Sequence, residues 1–269
     1  MNNTQIFRNL HADPAKPLIL PNIWDAGGAR LVESLGAKAV ATTSGGVAWA
    51  NGYPDGNRLP ALLQARLAEQ IVNTVRIPVS IDFEAGYSSE PAAVAENLRP
   101  LLASGISGIN IEDGADSPAI LAAKIEAIKK TASSMGTDIF VNARTDVFLQ
   151  DLVADDRKVS ETLARAALYQ SVGADGLFVP GLTEAADIAS VTGGTELPVN
   201  LMASVELPKL DALAKLNVRR LSAGTAISKI AWHHAARVAG NFLNDGDCEV
   251  FSEEAMQYPQ LQKLFEDRR

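Results

Sequence analysis

The sequence of 269 residues contains one cysteine, Cys248, and only three histidines. A single cysteine excludes an internal disulfide framework and is typical of a reducing compartment. There is no basic run and the formal net charge is −8, which argues against a nucleic-acid-binding surface. No apolar stretch is long enough to span a bilayer, and the first ten residues lack the apolar segment of a signal peptide. We therefore expect a cytoplasmic protein with neither nucleic-acid nor membrane partners.

Short apolar segments typical of strands alternate with amphipathic helical segments along most of the chain. The predicted strands are 17–21, 37–43, 78–83, 108–111, 139–143, 176–179, 198–202 and 219–222. The predicted helices include 59–75, 91–104, 118–134, 158–172, 207–216 and 225–243. Strict alternation of strand and helix predicts a parallel sheet. Eight such units without a composition break favour a closed (β/α)8 TIM barrel, a fold that typically takes about 250 residues.

An open doubly wound sheet is the structural alternative to the barrel. It usually carries a glycine-rich phosphate fingerprint after the first strand, and Gly27-Gly28 does not match that fingerprint. We therefore predict an α/β protein in which residues 1–269 form one barrel domain. Residues 245–269 fall outside the eight units and are expected to form a C-terminal helical extension, which either packs on the barrel or reaches a partner subunit.

Polar residues concentrate at the predicted C-terminal ends of strands one to five, the end at which barrel enzymes carry their chemistry. These residues are Trp24 and Asp25, then Ser44-Gly45-Gly46, then Asp82 and Glu84, then Glu112 and Asp113, then Arg144 and Asp146. A barrel used only as a scaffold has no need of acidic ends on neighbouring strands. The pattern therefore favours an active site at this face.

Asp82 and Glu84 are two residues apart, so on a strand their side chains point to the same side. Two like charges that converge repel each other unless a cation or a proton lies between them. Glu112 adds a third carboxylate one strand away. Because Mg2+ prefers oxygen ligands, these three acids predict a Mg2+ site, with Mn2+ as an alternative ion. The other interpretation is a group of solvated loop acids.

Four further features of this face have open interpretations. Arg144 carries a planar fork suited to a carboxylate or phosphonate, and it contacts either the substrate, one of the acids, or both. The segment 44–46 resembles a glycine turn whose backbone can approach an anion. Asp55 lies in a turn by composition. Trp24 either lines the pocket or packs in the core.

Six phrases along the chain, in this order, resemble the isocitrate lyase/phosphoenolpyruvate mutase superfamily. They are Pro21-Asn22-Ile23-Trp24-Asp25-Ala26, Thr43-Ser44-Gly45-Gly46-Val47-Ala48, Gly52-Tyr53-Pro54-Asp55, Asp82-Phe83-Glu84-Ala85-Gly86-Tyr87, Ile111-Glu112-Asp113 and Ala143-Arg144-Thr145-Asp146. The resemblance covers roughly residues 18 to 205. It implies a barrel enzyme that forms dimers or tetramers.

The resemblance implies a role for each matched residue. Asp82 would bind Mg2+, with Glu84 and Glu112 holding the ion directly or through waters. The substrate's carboxylate or phosphonate would lie on Ser44, Gly45 and Gly46. The resemblance also places Asp55 and Arg144 on the substrate as catalytic residues, with Trp24 and Asp25 beside them.

One segment departs from the family pattern. Lyases of this family carry a loop with a catalytic cysteine soon after the Glu-Asp pair, and mutases carry lysine, threonine and asparagine there. Residues 114–118 read Gly-Ala-Asp-Ser-Pro, which is short and has none of the cysteine, lysine or asparagine. Members with a short loop resemble decarboxylases of 2-oxo acids.

The sequence therefore predicts a Mg2+-dependent lyase or decarboxylase that acts on a small 2-oxo acid such as oxaloacetate through a metal-stabilised enolpyruvate. One alternative is a mutase or hydrolase that breaks the C–P bond of phosphonopyruvate or acts on phosphoenolpyruvate. The other is a non-catalytic protein that binds a metal and a 2-oxo acid.

Overall fold

The structure, a computed structural model, describes residues 2–246, 248–252 and 255–266. It contains a parallel sheet of nine strands in the order β1-β9-β8-β7-β6-β5-β4-β3-β2. The strands are β1 Leu18–Leu20, β2 Asn22–Ile23, β3 Val40–Thr42, β4 Val79–Asp82, β5 Gly108–Glu112, β6 Phe140–Arg144, β7 Gly176–Phe178, β8 Val199–Met202 and β9 Arg220–Ser222. Helices surround the sheet, so the predicted α/β barrel is confirmed.

The first predicted strand, 17–21, ends at a proline where the structure divides it from a second short strand. β1 pairs with β9, whereas β2 pairs with β3. Pro21 lies between them and has no N–H group to continue a ladder, but its carbonyl accepts a hydrogen bond from the Ala41 N–H at 3.2 Å. The chain thus changes neighbours at Pro21, which joins the two ends of the sheet into a nearly closed barrel of eight strand positions.

The six predicted helices are present, with ends that differ by a few residues. Together with the others, the helices are α1 Asn3–Ala12, α2 Ala26–Ser34, α3 Ser44–Ala50, α4 Ala61–Val72, α5 Pro91–Ala103, α6 Pro118–Ser134, α7 Lys158–Ser171, α8 Ala185–Gly194, α9 Leu210–Lys215, α10 Ala226–Asp245 and α11 Tyr258–Glu266. Two 3-10 turns occupy Asp155–Arg157 and Glu249–Ser252. No helix within the described ranges is both long and apolar enough to cross a membrane.

The prediction of a glycine turn at 44–46 was wrong, because these residues form the first turn of α3. The glycines permit a close approach of this helix to its neighbours. A Cβ atom on Gly46 would lie 2.8 Å from Thr43 Cγ2 and 3.1 Å from Trp24 Cβ, which is too close for most side chains. Packing therefore outweighs the low helix propensity of glycine here.

The C-terminal extension is helical at α11, and α11 packs on the barrel. The Arg30 Nε group of α2 donates a hydrogen bond to the Leu264 carbonyl at 2.6 Å. Of the predicted segment 245–269, residues 247, 253, 254 and 267–269 lie outside the described residues. The assignment of residues 1–269 to a single domain stays a prediction.

Helix α1 covers the N-terminal end of the barrel, where β5 and β6 begin. Phe7 is fully buried, and its ring lies so close to Gly108 that a Cβ atom there would be 2.8 Å from Phe7 Cε1. His11 stacks on Phe140 with ring centroids 4.2 Å apart. The His11 Nδ1–H group donates to the Phe7 carbonyl at 2.8 Å, so the neutral ring carries its proton on Nδ1. Helix α1 therefore packs against the face opposite the predicted site, on the side where β5 and β6 begin.

This burial makes a prediction for acid stability. Burial, with a smaller effect from the Arg220 charge, lowers the pKa of His11 to about 3. An unfolded histidine titrates near 6.5, so the stability from neutral His11 is complete above that pH and is lost as the pH falls towards 3. We expect a change from pH 7 to pH 5 to reduce the unfolding free energy of the wild type by about 2 kcal/mol more than that of His11→Phe. Urea unfolding at both pH values measures this difference, and parallel losses would contradict it.

Candidate active site

Asp82 is the last residue of β4, and the neighbouring strand holds it in place. Its backbone N–H donates to Thr42 Oγ1 at 2.8 Å, and its Oδ2 atom accepts from the Ser44 N–H at 3.1 Å. The Oδ1 atom is buried and has no hydrogen-bond partner in the described part of the chain. Burial raises the pKa of Asp82, and the Arg144 charge opposes that shift. A buried acceptor of this kind is normally satisfied, so Oδ1 is available to a ligand.

Glu84 lies near Asp82 because of the turn after β4, not because of the alternation of side chains along a strand. The strand periodicity used to place Asp82 and Glu84 on one side does not apply, because β4 ends at Asp82 and Glu84 has a left-handed backbone with φ +51°. Its carboxylate accepts from the Asn57 N–H and from the Tyr87 hydroxyl, the latter at 2.9 Å. Burial raises the pKa of Glu84, and the negative charges of Asp82 and Asp55 add to the shift. The turn after β4 therefore brings the second acid close to the first.

Glu112 and Arg144 are register partners at the ends of β5 and β6. Arg144 Nη1 lies 2.8 Å from Glu112 Oε2. Its Nε and Nη2 atoms form a two-pronged contact with the Asp146 carboxylate at 2.6 and 3.0 Å. The predicted ion pair between Arg144 and the acids is therefore confirmed. Burial nevertheless raises the pKa of Glu112 to about 8, because Arg144 offsets only part of the effect and the neighbouring acids add to it.

Asp113 follows Glu112, and its side chain forms buried contacts with Arg165, Tyr169 and the backbone of Asp146. Its Oδ2 atom accepts from the Tyr169 hydroxyl at 2.6 Å and from Arg165 Nη1 at 2.8 Å. Its Oδ1 atom accepts from the Asp146 N–H at 2.9 Å. Asp113 is 3% exposed, so this ion pair is nearly removed from water. It fixes the backbone that carries the Arg144–Asp146 contact.

Asp55 and Trp24 both lie against the first turn of α3. A Cβ atom on Gly45 would be 3.1 Å from Asp55 Oδ2, and one on Gly46 would be 3.1 Å from Trp24 Cβ. The negative charge of Asp55 also affects Asp82 and Glu84. The structure thus brings Asp55, Gly45, Gly46 and Trp24 together beside the acids. Their contact with substrate stays a prediction.

Asp25 has a structural role as the N-cap of α2. It precedes α2, and its Oδ1 atom accepts from the Gly28 N–H at 2.5 Å as an N-cap. The residue is exposed at the start of the helix. Capping accounts for an aspartate at this position, and its predicted substrate contact remains untested.

The carboxylates of Asp82, Glu84 and Glu112 fit a cation by their chemistry. All three have a raised pKa, and the unpartnered Asp82 oxygen is the kind of ligand that Mg2+ prefers. Over residues 2–246, 248–252 and 255–266, no three His, Cys, Asp or Glu side chains are grouped closely enough to hold one ion together. Metal binding by this set therefore stays a prediction.

Sequence reasoning missed several residues that support the site. Thr42 and Asn57 bond to the acids from neighbouring segments, and no local pattern marks such long-range contacts. Tyr87 lies within the phrase 82–87, so its proximity to Glu84 could have been inferred. Arg165 and Tyr169 are four residues apart on α7, a spacing that places them on one helix face.

The family model described as phosphoenolpyruvate phosphomutase matches residues 7–243. The chain belongs to this family. The resemblance inferred from the six phrases is therefore confirmed, and it extends beyond the residues that suggested it.

Some proteins similar to this chain have a named activity and others do not. The chain is 36% identical over 245 residues to an uncharacterized protein of Mycobacterium tuberculosis, with 90% of each chain covered. It is 28% identical over 207 residues to an oxaloacetate decarboxylase of Bradyrhizobium sp. (strain ORS 278), covering 74% of this chain and 70% of the relative. A crystal structure of a candidate phosphonomutase from Burkholderia cenocepacia J2315 matches with 41% identity and a TM-score of 0.83, covering 88% of this chain and 99% of the other.

The buried position of Asp113 predicts a structural effect of its replacement. Asp113→Asn leaves the Arg165 charge with only its second partner, Glu161, which lies 2.8 Å away. We expect a loss of about 3 kcal/mol in unfolding free energy, because a buried ion pair that loses one member leaves a poorly compensated charge. Urea denaturation measures the loss. Asp116→Asn, an exposed change in the same loop, is the control and should stay within about 0.5 kcal/mol of wild type; an equally small effect of Asp113→Asn would contradict the prediction.

Proposed function

We propose that this protein is a Mg2+-dependent lyase or decarboxylase of a small 2-oxo acid such as oxaloacetate. The observation that carries the proposal is the buried Oδ1 atom of Asp82, which has no hydrogen-bond partner among the described residues and lies among carboxyl groups whose pKa values are raised. Asp82, Glu84 and Glu112 would hold the ion, with Mn2+ as the alternative. A bound divalent ion supplies Lewis-acid stabilisation of an enolate.

Two further observations support this substrate class. The chain resembles the oxaloacetate decarboxylase of Bradyrhizobium over most of its length. The connection between β5 and α6 is a tight turn, in which the Asp116 N–H donates to the Asp113 carbonyl at 2.9 Å. This short turn has no cysteine for the usual lyase mechanism, which favours a reaction that needs mainly stabilisation of an enolate.

Arg144 has a defined part in this reaction. In decarboxylation of oxaloacetate, the bond from C3 to the leaving carboxylate breaks, its electron pair forms an enolate of pyruvate, and C3 then takes up a proton. Three of the five N–H groups of Arg144 contact Glu112 and Asp146, which leaves two for the substrate. A positioned guanidinium stabilises the negative charge that develops on the enolate oxygen. Asp55 would orient the substrate from the side of α3.

Activity on oxaloacetate is the direct test. With Mg2+, the purified protein should form pyruvate faster than the metal alone does, and a chelator should remove the difference. We expect Asp82→Asn to lower kcat/KM by more than about 100-fold, since loss of a ligand should exceed the effect of losing an outer partner. Asp116→Asn is the matched control. The proposal fails if wild type gives no pyruvate above the metal-only background.

Chemistry at a C–P bond is the second candidate function. It is favoured by the 41% identity to the candidate phosphonomutase of Burkholderia cenocepacia. A 31P NMR time course with phosphonopyruvate and with phosphoenolpyruvate distinguishes the two, because either conversion would move the phosphorus signal. Tight oxalate binding without turnover of any of these compounds would instead indicate a non-catalytic binding protein.

We also infer that the protein forms a homo-oligomer, either a dimer or a tetramer. Helix α10 is exposed along nearly all of its length, and Ile230 and Trp232 are 59% and 50% exposed. An apolar groove of about 740 Å³ lies between β1 and α2, where it is lined by Ile19 and Leu35 among others. A second copy's α10 would cover such surfaces, because contiguous exposed apolar residues commonly mark protein–protein contacts. A cytoplasmic location likewise remains a prediction.

Light scattering after size-exclusion chromatography tests this assembly. Wild type should have the mass of two or four chains, and Trp232→Asp should shift the mass towards one chain because a charge would be buried in the contact. Leu62→Asp changes an equally exposed leucine on α4 and should leave the mass unchanged. A monomeric wild type would contradict the inference.

A further inference from the structure

The turn after β4, which carries Glu84, contains three residues whose backbone φ angles are positive. Glu84, Gly86 and Tyr87 all have left-handed backbones, with φ of +51°, +84° and +60°. Glycine adopts this region freely, whereas glutamate and tyrosine do not. Such a conformation persists only where surrounding contacts determine it. The position of the Glu84 carboxylate therefore depends on groups outside the turn.

Side chains from two other elements hold the peptide groups of Ala85, in the middle of this turn. Asn57 Oδ1 accepts from the Ala85 N–H at 3.2 Å and from the Tyr87 N–H at 3.3 Å. From α6, Lys124 Nζ donates to the Ala85 carbonyl at 2.8 Å. Lys124 is only 2% exposed, so its charged group is directed at this contact and away from water. Both polar groups of Ala85 are thus satisfied from outside the turn.

Asn57 makes a further contact that links the two sides of the site. Its backbone N–H donates to the Glu84 carboxylate, and its side chain holds the turn that carries Glu84. Asn57 has φ +57°, a region that asparagine tolerates better than most residues. It follows Asp55 by two residues in the same bend. One residue therefore connects the bend that holds Asp55 to both the backbone and the charge of Glu84.

We propose that Asn57 is a positioning residue that keeps the Glu84 carboxylate beside Asp82, with Lys124 fixing the opposite side of Ala85. The expected effect of Asn57 on metal affinity rests on the proposed function. Asn57 is the better residue to test, because replacing it by a neutral residue leaves the charge of the site unchanged, whereas replacing Lys124 does not.

The contacts of Asn57 and Lys124 with the turn at Ala85 form a clamp, and hydrogen exchange tests this clamp without any metal. Asn57→Gly removes the acceptor oxygen but still permits the left-handed backbone, so exchange at the Ala85 and Tyr87 amides should rise by about 10-fold. The matched control is Asn217→Gly, because Asn217 is also left-handed, with φ +61°, and follows α9 away from the site. Unchanged exchange in Asn57→Gly would overturn the clamp.

Metal affinity tests whether the clamp positions a ligand or only stabilises a turn. Mn2+ is the probe, and its free concentration is followed by electron paramagnetic resonance. We expect Asn57→Gly to raise the Mn2+ dissociation constant by about 10- to 100-fold, the range for a lost partner of a metal ligand, and Asn217→Gly to leave it unchanged. Faster exchange with an unchanged dissociation constant would overturn the positioning role. A wild type that does not bind Mn2+ would overturn the proposed function, while the exchange result would still decide the clamp.

Discussion

Repulsion among carboxylates at the ends of neighbouring strands is the constraint on which this site depends. Asp82, Glu84 and Glu112 are gathered where burial and mutual charge raise their pKa values. Arg144 balances part of this charge, and it is itself shared between Glu112 and Asp146. Such a cluster is unfavourable for the fold alone, because buried charges require partners. A bound cation would offset this cost, which is the basis of the proposed metal site.

In the barrel, each of these acidic side chains is held by contacts from a different neighbouring strand or loop. Strand β3, which pairs with β4, holds Asp82 through Thr42, and the bend at Asn57 holds Glu84. On the other side, the buried Asp113 fixes Asp146, whose carboxylate orients Arg144. Because the supports are separate, each acid keeps its position without direct contact with the next. A parallel barrel allows this because all strands end at one face.

The fold was predictable because its strands are short apolar runs in strict alternation with helices, a pattern that few architectures share. The strand ends then located Asp82, Glu112 and Arg144. Glu84 was placed near Asp82 for the wrong reason, since the strand ends at Asp82 and the turn that carries Glu84 depends on distant side chains. Local pattern could not predict the first turn of α3, where packing against Trp24 outweighs the preference of glycine for turns.

In the proposed function, Asp82 and a divalent ion would together form an enolate-stabilising site. Calorimetric titration of oxalate, a mimic of enolpyruvate, with and without Mg2+ on wild type and on Asp82→Ala tests it most directly. We expect oxalate to bind only when both Mg2+ and Asp82 are present. Oxalate binding that persists without the ion or in the variant would contradict it, because the carboxylate cluster would then have another role.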